Sequence, residues 1–210
     1  MKLAPVNWTA NTLNELYYSY MSEEDHSSWY LDELSNLASL DGVNTITEFG
    51  IFQGHSITAF LRGNPKKIIG YDIETDKIEY DVLKKFAQEK NIELQIHNGN
   101  CLNINIEETD LLFLDSIHYY EHVQKELDLH ASKVKKYIVV HDVNYPYDKQ
   151  VLVWRYVSDG SKRPTSELIP ATAKYRKVRQ AVDEFIKQNK EWDLYKDINE
   201  KSGMMILCRK

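Results

Sequence analysis

The sequence predicts an α/β protein built on a mostly parallel sheet with both faces covered. Three observations carry that expectation. Lys67–Asp72, Asp110–Asp115 and Lys136–Asp142 are continuous apolar runs, the mark of strands buried on both sides rather than one. Amphipathic stretches of helical period lie between them. Acids close the runs: Glu48, Asp72, Asp115 and Asp142 fall at or near carboxyl ends, where open α/β sheets place their ligands.

The elements follow in order. Leu13, Leu16, Tyr17 and Tyr20, then Trp29, Leu31, Leu34, Leu37 and Leu40, mark two helices within residues 1–40, separated by the acidic stretch 22–26. Ile46 to Leu61 reads as strand, glycine turn and helix start, with Gly50 and Gly54 permitting a tight turn and Ser56 placed to cap the helix. Ile78, Val82, Leu83, Phe86 and Ala87 give a helix over 77–90. A third strand, 92–96, leads into the polar turn His97–Asn100. Val123, Leu127 and Leu129 give a helix over 120–134. Residues 144–174 carry Tyr145-Pro-Tyr147, Asp159-Gly160, Arg163-Pro164 and Pro170, which predicts a long irregular insert, either a lid or a surface excursion. A helix over 174–188 and two strands, 191–196 and 203–208, close the chain as a hairpin.

Composition bounds the function. A chain of 210 residues, 42% hydrophobic and 28% charged, is long enough for one domain with a sizeable core. Its net charge of −6 argues against a general nucleic-acid binder, which needs a basic footprint. No apolar run is long enough to span a bilayer, and the first residues lack the core of a signal peptide, so no membrane partner and a cytoplasmic location are expected. Cys101 and Cys208 read as small packing residues, too few for a disulfide framework or a thiolate metal site.

The first loop departs from the dinucleotide fingerprint, because Phe52 stands where its second glycine belongs. The Glu48 carboxylate suits a cationic or hydroxyl-bearing ligand. Asp72 lies 22 residues after Gly50 (72 − 50), about the spacing of the acid that holds ribose hydroxyls in βαβ nucleotide sites. The turn ending at Asn100 is placed to meet a base edge.

Five βα units, a closing helix and hairpin, and Glu48-Phe-Gly50 with Gly54 resemble class I S-adenosylmethionine-dependent methyltransferases. Thr47 to Thr58, Leu112 to Val123 with its Asp115-x-x-His118-x-Tyr-Glu pattern, and Tyr137 to Asp142 resemble the branch holding macrolide-sugar O-methyltransferases and cephalosporin hydroxylase-like proteins. The resemblance implies a Rossmann-like methyltransferase fold, a mostly parallel seven-stranded sheet ending in an antiparallel hairpin. It implies cofactor contacts at Glu48, Gly50, Gly54, Asp72, Asn100 and Asp115. It also implies a divalent ion, Mg²⁺, at Asp115 and Asp142, with His141 standing where members often carry another carboxylate.

Methyl transfer to a hydroxyl requires the nucleophile to be aligned and deprotonated. Mg²⁺ lowers a hydroxyl's pKa, and His118, three residues after Asp115, is placed to act as general base. The expected activity is O-methylation of a sugar or glycosylated small molecule. An NAD-type oxidoreductase, disfavoured by Phe52 and the hairpin, and a noncatalytic cofactor-binding module are the alternatives. Tyr145, Tyr147, Trp154 and Tyr156 form an aromatic set suited to stacking a sugar ring or to a homo-oligomer contact.

Overall fold

The computed structural model describes residues 9–21, 30–76, 78–144 and 177–210 in full and the backbone of 151–156 and 162–167. Two helices, α1 (Leu13–Met21) and α2 (Leu31–Ala38), precede β1 (Thr45–Phe49), α3 (His55–Gly63), β2 (Lys67–Asp72), α4 (Tyr80–Glu89) and β3 (Glu93–Asn98). After these come β4 (Thr109–Leu114), α5 (Tyr120–His130), β5 (Val134–His141), β6 (Val151–Tyr156), β7 (Lys162–Glu167), α6 (Val178–Gln188), β8 (Trp192–Ile198) and β9 (Met204–Arg209). The main sheet has seven strands in the order β3-β2-β1-β4-β5-β9-β8. The first five are parallel, and β9 inserts antiparallel between β5 and β8.

The unbroken apolar runs are explained by cover on both faces. Leu111 and Phe113 of β4, Val139 of β5 and Ile206 of β9 point into the core shared with α1 to α4. Their neighbours Leu112, Leu114, Ile138, Val140, Met205 and Leu207 point into the other, with α5 and α6. Successive side chains on a strand alternate faces, so both sets must be apolar. None of the described helices is long and apolar enough to cross a membrane.

Several boundaries differ from the sequence expectation. The helix expected to reach 134 stops at His130, and a short 3₁₀ turn, Ala131–Lys133, hands over to β5 two residues earlier than the apolar run begins. Arg209 fixes that corner by donating to the carbonyls of Ala131 and Val134 at 2.9 Å each, with its guanidinium over the Trp192 ring. The insert is not wholly irregular. Val151–Tyr156 pairs antiparallel with Lys162–Glu167 in a separate two-stranded sheet, and the Asp159-Gly160 pair read as a breaker falls between these strands. The rest of the insert, the stretch 22–26, Trp29, Tyr145 and Tyr147 lie outside the described residues.

One glycine fixes how the site is assembled. Gly50 has φ 84°, and a Cβ there would stand 2.3 Å from the Asp115 carbonyl oxygen. The β1 loop and the end of β4 therefore touch backbone to backbone, joined by the Asp115 amide donating to the Phe49 carbonyl at 2.9 Å. Gly50→Ala is expected to cost about 1–3 kcal/mol in urea unfolding. Gly99→Ala, where the nearest atoms would lie at 3.5 Å and φ is ordinary, is expected to be nearly neutral. Equal effects at both positions would contradict this packing.

Candidate functional site

The acids at the strand ends do not share one role. Glu48 is fully buried within β1; the Ser56 hydroxyl donates to its Oε1, while Oε2 has no hydrogen-bond partner. Burial raises its pKa well above the ordinary carboxylate value, partly opposed by Ser56 and reinforced by the charges of Asp115 and Asp72. Ser56 is not the helix cap expected from the sequence. That position is Gly54, at φ 80° with no side-chain cap, and Ser56 inside the first turn is spent on Glu48.

Asp72 closes β2 and ties down the glycine loop. The amides of Ile51 and Phe52 donate to its Oδ2 at 2.8 and 3.0 Å, and that of Glu74 to Oδ1 at 2.9 Å. Phe52 takes a positive φ of 50°, the conformation that a glycine would adopt without strain, and its ring is 44% exposed. Asn100 is the N-cap of a 3₁₀ turn, Cys101–Asn103, where its Oδ1 accepts from the Leu102 amide at 2.9 Å. The second lone pair of this oxygen meets only the Cys101 thiol, at 3.9 Å.

Asp115 and Asp142 do converge, together with both histidines predicted beside them. His118 Nε2 lies 3.1 Å from Asp115 Oδ1 and its Nδ1 lies 3.0 Å from Asp142 Oδ2. His141 Nδ1 lies 2.9 Å from Asp115 Oδ1 and 3.3 Å from Asp142 Oδ1. Candidate metal-binding atoms of all four residues fall within 4.8 Å of one another. An ionised carboxylate only accepts hydrogen bonds, so His118 faces an acceptor with each nitrogen and is held as an imidazolium. Burial opposes that charge, but the two carboxylates outweigh it and raise the His118 pKa to about 10. In return both carboxyls are held low despite their burial, Asp115 by His141 and His118, Asp142 chiefly by His118.

One residue that the sequence did not single out, and one unusual backbone angle, complete this site. Tyr30, buried at the start of α2, lays its ring 4.1 Å from that of His141. Asp142 sits at φ 54°, a conformation an Asp tolerates better than most residues, which turns its carboxylate back towards His118. Nothing in a linear reading places Tyr30 there, because α2 reaches the site only through the packing of α2 on α3.

No protein-family model matches the chain, and no curated protein matches it in sequence. Solved structures do match in shape. An O-methyltransferase of Bacillus cereus in complex with SAH superposes with a TM-score of 0.59 at 15% identity, over 94% of this chain and 89% of that one. The fold is the Rossmann-like methyltransferase fold. A Podospora anserina methyltransferase with SAH bound gives 0.57 at 16% identity, over 96% and 88% of the two chains. A SAM-bound amino pentose methyltransferase of Micromonospora echinaspora, involved in calicheamicin biosynthesis, gives 0.55 at 10%, over 96% and 98%.

The His118 bridge has a measurable signature. A histidine whose pKa is raised on folding adds stability that is fully present below its unfolded value, near 6.5, and is lost as pH rises through its folded value, about 10 here. In excess chelator, His118→Gln should be less stable than the parent near pH 6, with the gap closing by about pH 10. A gap independent of pH, measured by urea unfolding at each pH, would contradict the bridge.

Proposed function

We propose that this protein is an S-adenosylmethionine-dependent O-methyltransferase, assisted by a divalent cation such as Mg²⁺, that acts on a hydroxyl of a sugar or glycosylated small molecule. The observation that carries the reading is the cluster of Asp115, His118, His141 and Asp142 at the ends of β4 and β5, in backbone contact with the glycine loop through Gly50. The fold shared with methyltransferases that hold SAM or SAH supports the cofactor, and the amino pentose methyltransferase supports a sugar acceptor.

The residues present fit both groups. The orphaned, buried oxygen of Glu48 suits a cationic part of the cofactor, because an unpaired buried carboxylate is costly. Gly50 and Gly54 leave the loop free of side chains at their own positions, and Asp72 holds that loop in shape while keeping lone pairs for a ribose hydroxyl. We assign Asn100, at the turn after β3, to the base. Asp115 and Asp142, with His141 beside them, are the residues that would hold the cation. A cation there lowers the pKa of a ligated hydroxyl.

The chain's own task is to place the acceptor and receive its proton. His118 keeps its proton because of the two carboxylates it touches. With the charge of these carboxylates shared by a cation, the His118 imidazole would be free to give up that proton and act as general base. The β6–β7 hairpin follows Asp142 in the chain, and we assign residues 144–174 the role of covering the acceptor.

Calorimetric titration tests the cofactor: SAM and SAH are expected to bind saturably and NAD not at all. Asp142→Asn is expected to retain cofactor binding while methyl transfer to glycosides, screened by label from the cofactor methyl, is lost. Excess chelator should abolish transfer, and Mg²⁺ or Mn²⁺ should restore it. NAD binding without a response to SAM or SAH, or full activity in chelator, would overturn the respective part of the proposal.

A further inference from the structure

A second group of potential ligands lies apart from this cluster, where the turn after β3, the loop after β4 and the buried face of α5 meet. Three groups converge on one atom, His122 Nε2: Cys101 Sγ at 3.4 Å, Ser116 Oγ at 3.2 Å and Glu126 Oε1 at 3.3 Å. One ring nitrogen makes one hydrogen bond; the Ser116 hydroxyl is spent on Glu126, and the Cys101 thiol otherwise meets Asn100 Oδ1 and Ser116 Oγ only at 3.9 Å each. Glu126 sharpens the problem. It is fully buried, its Oε1 accepts from the Ser116 hydroxyl at 2.5 Å, and its Oε2 has no hydrogen-bond partner. Among the described residues neither Lys nor Arg pairs with it. A carboxylate buried this way is expensive unless a cation meets it.

We propose that Cys101, His122 and Glu126 form a zinc-binding site. The candidate ligand atoms lie within 4.8 Å of one another. Tetrahedral zinc with bonds of about 2.0–2.3 Å places its ligand atoms about 3.3–3.6 Å apart, which the 3.3 and 3.4 Å separations from His122 Nε2 match. A thiolate, an imidazole and one carboxylate form a borderline-soft donor set that favours zinc over Mg²⁺. His122 and Glu126 are four residues apart on α5, so they share one face of the helix. Ser116, or a water in its place, supplies the fourth position.

The surroundings suit a site that holds neighbouring segments together. His130 Nε2 donates to the Cys101 carbonyl at 2.8 Å, fixing the turn that carries the thiol. The thiol is protonated without a metal, since burial and the nearby Glu126 push its pKa up to about 12; zinc binding would release that proton to solvent as the S–Zn bond forms. Access is provided by an open pocket of about 330 Å³ lined by Leu102, Ile117, Tyr119, Glu121, His122 and Lys125. The turn and loop joined this way are those that carry Asn100 and Asp115, so a metal here would brace one wall of the cofactor site. No motif marks it in the sequence, because Cys101 and His122 are 21 residues apart and the two cysteines form no spaced motif.

Cobalt(II) substitution tests the site with a readout independent of methyl transfer. The full chain, stripped with chelator, is expected to bind Co²⁺ with a thiolate-to-cobalt charge-transfer band and tetrahedral visible bands, both displaced by Zn²⁺. Cys101→Ser should remove the charge-transfer band, and His122→Gln should remove binding at this site. Cys208→Ser should leave both sets of bands unchanged. Ser116→Ala should weaken binding by about 10–100-fold. A missing charge-transfer band in the folded parent, or a band that survives Cys101→Ser, would overturn the assignment. Circular dichroism of each variant distinguishes a lost ligand from a lost fold.

Discussion

β4 and β5 run parallel and side by side, so the acids that follow them, Asp115 and Asp142, are delivered to one small, mostly buried space. Two carboxylates there repel unless a positive charge lies between them. His118 supplies that charge in this structure by touching one carboxylate with each nitrogen. Much of the local arrangement serves this bridge: His141 donates to Asp115 from the buried side, Tyr30 packs on His141, and Asp142 takes a positive φ to bring its oxygens round. The proposed cation site rests on the same geometry, because a dication would satisfy both acids and free the imidazole.

The glycine loop depends on the same strand ends. Gly50 lets β1 and β4 approach backbone to backbone, and Asp72 at the end of β2 spends two of its bonds on loop amides. Under the proposed function, that rigid loop would place the cofactor accurately against Asp115. Glu48, buried with one oxygen unpaired, is a cost that the isolated chain carries and that a cationic ligand would relieve.

What could be read from the sequence divides along physical lines. The sheet was legible because strands covered on both faces must be apolar at every position, and the acids Asp72, Asp115 and Asp142 were legible because they interrupt such runs at their ends. The β6–β7 hairpin was not, because Asp159-Gly160 and Pro164 signal breaks as readily as a hairpin turn and an edge strand. Ser56 was misread for a related reason: a serine near a helix start is a common cap, and only the fold reveals Glu48 beneath it. Cys101, His122 and Glu126 escaped because their meeting depends on how α5 packs against the turn after β3, and polar residues on a helix ordinarily face solvent. Tyr30 is a packing residue in any linear reading and becomes part of the site only through α2.

The most direct measurement is nitrogen-detected NMR of the histidine side chains, with His118 assigned by comparison with His118→Gln. In chelator near pH 8 the account predicts both His118 nitrogens protonated, with the shifts of an imidazolium, and the loss of one proton when Mg²⁺ or Mg²⁺ with SAM is added. A neutral His118 ring near pH 8 in chelator, unchanged by the cation, would contradict the bridge on which the reading of this site depends.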